Sequence, residues 1–455
     1  MRIRLFTTIA LLGTAVLGCD KTLTTKPGDK VPANEEVVDA ATAQAALNGA
    51  YDGLQRGGYY GLDVELLGDL AADNGEWAGT YQFLGDIASN RIAADNPEVT
   101  DMWTQIYAQI DRDNTVISRV PQVASIPAAT RDPILGQAYF LRALGYHNLV
   151  KFWGDVPMPL APVTVASDAQ AYTRVPQLQV YTQILADLAK AETMITNTSD
   201  TRRATPMAAR AIKARVLFYR ASVAGNTASA ADYQAALDAA NLVLAGRDTL
   251  TVPFASLFTA TGTNTSEDIF RVSFIPAESN SLGYYWRYEG RYEARPTSNL
   301  RAAFDANDLR LPLTLAPRTS GSTRLHGTKW PTTIGAEHPH VIRLAELVLL
   351  KAEVLARQGQ LVPAIDEYNK VRIRAGLAKH VLGVDVITHA DVMVAILKER
   401  RRELALEGDR WPDLVRLGLA VATKGLAPDR LGQALFPIPL REMTTTPGLK
   451  QNPGY

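Results

Sequence analysis

Five aromatic side chains crowd into nine residues of the segment SLGYYWRYEGRYE: Tyr284, Tyr285, Trp286, Tyr288 and Tyr292. At the chain-wide aromatic content of 7%, fewer than one would be expected in such a window. Tyrosine and tryptophan join a flat apolar face to a polar handle. A cluster of them suits a ligand that alternates C–H faces with hydroxyl rims, above all a sugar ring. An extended backbone here would set Tyr284, Trp286 and Tyr288 on one face, because side chains alternate along a strand. Trp77 and Tyr81 in GEWAGTYQF, and Trp330 in GTKWPTT, lie in loop-like sequence and are candidates for the same surface. The candidate ligand-binding set is therefore Trp77, Tyr81, Tyr284, Trp286, Tyr288, Tyr292 and Trp330. The competing reading is a structural cluster that pins a long loop to the body.

No catalytic constellation accompanies these aromatics. The chain has no Gly-x-Ser-x-Gly, no His-Glu-x-x-His, no Walker loop and no dinucleotide-binding glycine fingerprint. The six histidines include one close pair, His338-Pro339-His340. With no third ligand near them in sequence, a solvated loop is the expectation rather than a metal site. Carboxylates from remote segments can converge for glycoside hydrolysis, yet nothing recommends a particular pair. The run Lys398-Glu399-Arg400-Arg401-Arg402-Glu403 alternates in sign, and at helical spacing Glu399 falls beside Arg402 and Glu403 beside Arg400. That pattern reads as an ion-paired helix face, not a nucleic-acid patch. No enzyme activity and no cofactor are expected, and whether calcium assists is left open.

The elements that must carry these residues follow from pattern. The chain has 455 residues, 47% of them hydrophobic, with 47 basic and 47 acidic side chains. Zero net charge argues against a nucleic-acid partner. Helical periodicity, rich in Ala and Leu, covers windows 38–55, 100–119, 131–152, 177–196, 206–224, 231–245, 341–357, 361–375 and 389–407. The clearest pair runs from His340 to Gly376, punctuated by Gly359. Ala352-x-x-Leu355 followed by Ala364-x-x-x-Tyr368 matches the small-then-large spacing of a tetratricopeptide repeat, although Val348 and Lys351 stand where that repeat favours Trp and Leu. Ala214-x-x-Leu217 and Ala236-x-x-x-Ala240 echo it. Residues 247–340 break the pattern with Pro, Gly, Thr and Ser and short strand-like runs such as Ile269–Ile275. A connection this long in a compact body is usually functional or disordered, and this one is too aromatic for disorder.

The first residues, MRIRLFTTIALLGTAVLGCD, have the anatomy of an export signal: Arg2 and Arg4, then a short apolar run from Leu5 to Leu17. Val16-Leu17-Gly18-Cys19 resembles a bacterial lipobox, and Cys19 is the single cysteine of the chain. The resemblance implies cleavage before Cys19 and lipid attachment to its sulfur, anchoring the protein to a membrane surface. The expected organisation is a lipoprotein signal peptide over 1–18, a polar Pro-containing tether over 19–36, and one domain over 37–455. Within that domain, helical-repeat parts occupy about 38–245 and 341–420, and the loop-rich ligand face about 247–340.

Further segments carry a family resemblance. They are Trp103-x-x-x-Tyr107 with Asn114; GQAYFLRALGYHNLVKFWGDVPMPL at 136–160; RPTSNLRAAFDANDLR at 295–310; VIRLAELVLLKAEVLARQG and NKVRIRAGL within 341–377; ERRRELALEGDRWPDLVRLG at 399–418; and LFPIPLREMTTTPGLKQNPGY at 435–455. In this order, with the lipobox, the chain resembles the SusD/RagB family of outer-membrane nutrient-binding lipoproteins over its whole length.

The resemblance implies a mainly α, SusD-like fold of tetratricopeptide-like helix pairs, plus an irregular loop-rich region with a few short strands. It implies a cell-surface lid, lipid-anchored at the bacterial outer membrane, on a SusC-like TonB-dependent barrel. Such a lid captures oligosaccharides or polysaccharides and catalyses nothing. Peptide cargo under the same lid, or a tetratricopeptide-like scaffold for a protein partner, are the alternatives. Family ligand residues are not carried over, and Glu407-Gly408-x-Arg410-Trp411 is read as a structural helix turn with Trp411 in the core.

Overall fold

The computed structural model describes residues 37–247, 249–259, 264–426 and 428–455. The expected signal peptide, the lipid-attachment residue Cys19 and the tether through residue 36 lie outside the described residues.

Helices near one another in sequence pack in pairs: Ala128–Trp153 with Gln177–Met194 (across the short helix Ala166–Gln170), Pro206–Ala221 with Ser229–Leu244, and Leu344–Arg357 with Leu361–Arg374. Ala40–Leu54 and Pro97–Arg119 pack against the first of these. Side chains fix the starts of several helices. Asp39 and Thr42 form a reciprocal capping box, and Asn96 accepts from the backbone of Glu98 and Val99 ahead of Pro97. Ala128–Trp153 is central, since every residue from Phe140 to Trp153 is buried. Its Arg142 is satisfied there by a two-pronged bond to Asp187 at 2.8 Å and by the Asn114 side chain at 2.9 Å. In the C-terminal pair, Ala352, Ala364 and Tyr368 have no exposed surface, as repeat spacing requires. Gly359 joins the two helices at φ +78°.

The sequence also folds into short helices that the periodicity did not announce, Asp63–Leu70 and Gln82–Ala88. At seven and eight residues they span about two turns, too short for a repeat of apolar positions to stand out. Among the described residues, three two-stranded antiparallel ribbons organise the irregular stretch: Gly75–Trp77 with Ala294–Pro296, Asp268–Arg271 with His340–Arg343, and Leu315–Pro317 with Leu325–Gly327. The histidine pair is not a solvated loop. His340 is buried on its strand with Nε2 2.7 Å from Asp268 Oδ1, and His338 Nδ1 accepts the backbone N–H of Phe274. Pairing with the strand at 268–271 is what draws both inward.

Late segments close the body over the central helix. Asn452 Nδ2 donates to the carbonyls of Trp153, at 3.0 Å, and Phe436, at 2.7 Å. Trp153 Nε1 donates to the Pro437 carbonyl.

The charged helix His389–Glu403 is buried rather than solvated at its C-terminal end. Arg402 pairs with Glu399 as helical spacing suggests, but Glu403 does not turn to Arg400. It is enclosed by Arg310, Arg343 and Arg374, while Arg400 pairs with Asp413. Burial alone would raise the Glu403 carboxyl. Arg374, Arg343 and Arg310 override it and hold the group well below the usual range. Glu407 is held at about 2, against burial, by Arg343 and Lys329.

Removing one partner from such a network leaves buried charge uncompensated, at a cost of about 3–5 kcal/mol. Glu403→Ala should lose stability on that scale in chemical denaturation, and a loss below about 1 kcal/mol would contradict the network's structural role. The depressed Glu407 contributes stability that is complete above its ordinary value of 4.5 and lost as pH falls through about 2. A flatter acid limb in Glu407→Gln, measured as stability against pH, is the expected result.

Candidate functional site

Trp286 organises the aromatic segment from below. Leu282–Trp286 is one helical turn, not a strand, opened by Asn280 Oδ1 accepting the Leu282 N–H and closed when Arg291 N and Tyr292 N both bond the Tyr284 carbonyl. The turn rotates Trp286 inward, so it does not share a face with Tyr284 and Tyr288. Its indole has no exposed surface and lies over Gly75 and Gly327, where an added Cβ would come within 2.9 Å of Trp286 atoms. Trp330 is likewise enclosed, with Nε1 donating to the Leu406 carbonyl at 3.2 Å and its ring edge-on to Phe258. Trp411 is in the core, as expected.

The same turn sends Tyr284 outward, where it is 45% exposed. Beside it the ribbon of Gly75–Trp77 with Ala294–Pro296 sets Trp77 opposite Ala294 and brings in the loop 78–81. Buried Glu293 fastens that loop: its Oε2 accepts the Tyr81 N–H at 2.9 Å, and its Oε1 accepts Arg291 Nε at 2.8 Å. Arg291 thereby lies over two rings, 5.3 Å from the centroid of Tyr81 and 5.8 Å from that of Tyr285. Exposed Phe83 meets Tyr81 edge-on at 5.4 Å. Tyr81 and Tyr284, more than 200 positions apart, thus border one solvent-facing surface with Phe83, Tyr285 and Arg291, while Trp77 is half-buried against Gly85 with its Nε1 enclosed.

Tyr81 is held from behind by acids. Its phenol is pushed up to about 12, by burial first and then by the facing Glu98. Asp63, wholly buried, is raised well above the carboxylate range by burial and by Glu98 and Asp101. Glu98 is itself raised by burial, and the two carboxyls meet through a side-chain hydrogen bond. The remaining two aromatics form a neighbouring group. Tyr288 packs edge-on against His326 at 4.7 Å, the Tyr292 hydroxyl donates to the Leu325 carbonyl, and Arg318 lies 5.8 Å from both tyrosine rings.

Sequence reasoning missed Phe83, Tyr285, Arg291, Glu98 and Glu293 as parts of this surface. Arg291 and Glu293 flank Tyr292 in the aromatic segment and were readable as its polar complement. Nothing in the sequence pointed to Glu98, which arrives on the distant helix Pro97–Arg119. Chemically the surface offers aromatic planes for stacking and a guanidinium and phenols for hydroxyl groups. Among the described residues no three His, Cys, Asp or Glu side chains converge as a metal site.

Fold and surface together define a helical-repeat protein that presents an aromatic face from its irregular stretch. The chain belongs to the SusD/RagB family. Residues 28–218 match the family model described as starch-binding associating with outer membrane, and residues 321–428 match that of the SusD family. The SusD-like protein P2 of Formosa agariphila is 29% identical, over 91% of this chain and 92% of its own. Among solved structures, a SusD homolog from Bacteroides thetaiotaomicron superposes with a TM-score of 0.81 at 20% identity, covering 93% of this chain and 98% of that one. A laminarin-binding SusD-like protein gives 0.77 at 23% identity, covering 91% and 99%. These likenesses agree with the helix-pair architecture described above.

Burial separates two kinds of aromatic here. Trp286→Ala removes an enclosed indole and should cost about 3–5 kcal/mol. Tyr284→Ala should change stability by less than about 1 kcal/mol. Equal melting temperatures for the two variants would contradict the packing.

Proposed function

We propose that this protein is a surface-exposed lipoprotein that binds glycan oligomers and delivers them to a SusC-like TonB-dependent outer-membrane transporter, acting as its lid. Residues 37–455 serve as one SusD-like domain, carried on a lipid attached to Cys19 and spaced from the membrane by the tether. Capture, not turnover, is the role of the solvent-facing site. Family membership supports the lid role. The curated relatives are SusD-like proteins, and the laminarin-binding structure shows by its own description that the fold accommodates a glycan.

The observation that carries the reading is the pinned cluster of Tyr81, Tyr284, Tyr285 and Arg291. Flat faces held in place before a ligand arrives lose little side-chain freedom on binding. Glu293 beneath and Glu98 behind supply that rigidity. A sugar stacked on Tyr284 or Tyr81 would find the Arg291 guanidinium within the same patch for its hydroxyl groups.

Calorimetry of the soluble protein lacking residues 1–19, against an oligosaccharide panel that includes laminarin oligomers, tests this. Tyr284→Ala and Tyr81→Ala should each weaken a bound oligosaccharide about tenfold, or roughly 1.4 kcal/mol. Wild-type affinity in both would move the site elsewhere. In cells, Cys19→Ala should lose detergent-phase partitioning, and retention of it would remove the lipid anchor from the proposal.

A further inference from the structure

A second recess lies apart from the aromatic face, between the end of helix Ala40–Leu54, the turn 200–203 and the strand Asp268–Arg271 with its continuation to Ser273. It has a volume of about 320 Å3. A smaller hollow of about 230 Å3 shares Asp52 and Gln55 with it and extends it to Arg56, Glu278 and Ser279. The combined groove ends five positions before Tyr284 in the chain.

Arg202, Arg203 and Arg271 line the larger recess, with the buried Arg271 guanidinium donating to the Asn264 side chain. The backbone sets them there, since Arg271 N–H donates to the Thr201 carbonyl at 2.9 Å and ties the turn to the strand. Arg203 is the informative one. Its guanidinium lies 4.1 Å from the centroid of the Tyr51 ring and its Nη2 donates to Asn48 Oδ1 at 2.5 Å, while its Nη1 is buried and makes no hydrogen bond. A buried charged donor left unmet is costly, and a ligand in the recess meets this one when the Arg203 side chain turns toward it.

Most of the nearby acids are already committed. Asp200 pairs with Arg202 at 2.9 Å, and Asp268 holds His340 at 2.7 Å and Arg271 at 3.5 Å. His338 adds no charge near neutral pH. Burial, and then Arg271 and Arg202, push it down to about 4. Asp52 is exposed at the mouth, where it would oppose a bare anion but accept hydroxyl groups. Gln55 spends its amide N–H on the Ser273 carbonyl and keeps its oxygen as an acceptor. The recess therefore matches a ligand with one anionic group and neighbouring hydroxyls.

We propose that this cleft receives the carboxylate or sulfate group of an acidic oligosaccharide, with Arg203, Arg202 and Arg271 taking the anion and Asp52, Gln55 and Ser273 the adjacent hydroxyls. The proposal rests on the glycan-binding reading and names the cargo class within it. Guanidinium forks fit both oxyanions and hold them more strongly than neutral groups.

The test compares four probes by calorimetry on the soluble protein: oligogalacturonate, its methyl ester, a sulfated chondroitin oligosaccharide and a neutral laminarin oligomer. At least one acidic probe should bind tenfold or more tightly than the methyl ester and the neutral oligomer. Which acidic probe binds separates carboxylate from sulfate recognition. Arg203→Gln should erase that preference. Arg202→Gln, at an exposed position that is safe for folding, should reduce it at least threefold. Equal affinity for charged and neutral probes, or an unchanged preference in both variants, overturns the proposal. If no oligosaccharide binds, the glycan reading falls, and sodium sulfate against sodium chloride at matched ionic strength judges the cleft alone. A sulfate-specific rise in melting temperature that Arg203→Gln abolishes keeps the anion site, and an equal rise in both proteins removes it.

Discussion

Glu403 sits at the junction on which the rest of the structure depends. One fully buried carboxylate is met by Arg310, Arg343 and Arg374, and each of those arginines comes from a different part of the chain. Arg310 belongs to the irregular stretch, Arg343 to the strand that leads into Leu344–Arg357, and Arg374 to the end of the paired helix. Around it, Arg310 also binds Asp308 and Glu399, Arg343 and Lys329 bind Glu407, and Arg374 binds Glu267. Apolar packing would hold the helices together without caring about orientation. Charges buried this deeply are tolerated only in one geometry, because a displaced partner strands its neighbour in a medium that solvates it poorly.

The functional surface inherits its position from that junction in a short series of contacts. Lys329 and the adjacent Trp330 bond to the backbone at Glu403 and Leu406, which fixes the segment beside Gly327. Trp286 is wedged over Gly327 and Gly75, and Tyr284 projects from the same turn. Trp286 and Trp330, two of the three indoles that sequence composition suggested as sugar platforms, are the supports of the site, while smaller phenols and an arginine stand on its face.

How much of this was legible in the sequence differs by kind of residue. Helices such as Gln177–Met194 and Leu361–Arg374 announce themselves because their buried positions repeat at helical spacing over several turns. The alternating charges of 398–403 announced ion pairing, but their partners were hidden. A carboxylate's choice between Arg400 one turn away and three arginines from elsewhere is decided by tertiary contacts. The aromatic segment was visible as composition, and its division into exposed Tyr284 and buried Trp286 was not. That division follows from a one-turn helix set by Asn280 and by the carbonyl of Tyr284, a local signal too short for periodicity to detect. Glu98 and Asp63 gave no signal at all, since the two carboxyls face each other only once two separate helices meet.

The clasp at Asn452 has a bearing on the order in which the chain can be completed. Its amide closes on the Trp153 carbonyl from 299 positions away, at the end of a helix that is buried throughout from Phe140 onward. Until that late stretch is available, the Phe152 carbonyl lacks the Phe436 N–H, the Trp153 carbonyl has only Arg174, and the aromatic cluster of Trp153, Phe152 and Phe436 stays open to water. Contacts of such long range delay the final collapse. The C-terminal stretch is thus the closing piece of the fold, and the central helix reaches its final packing only once Phe436, Pro437 and Asn452 have joined it.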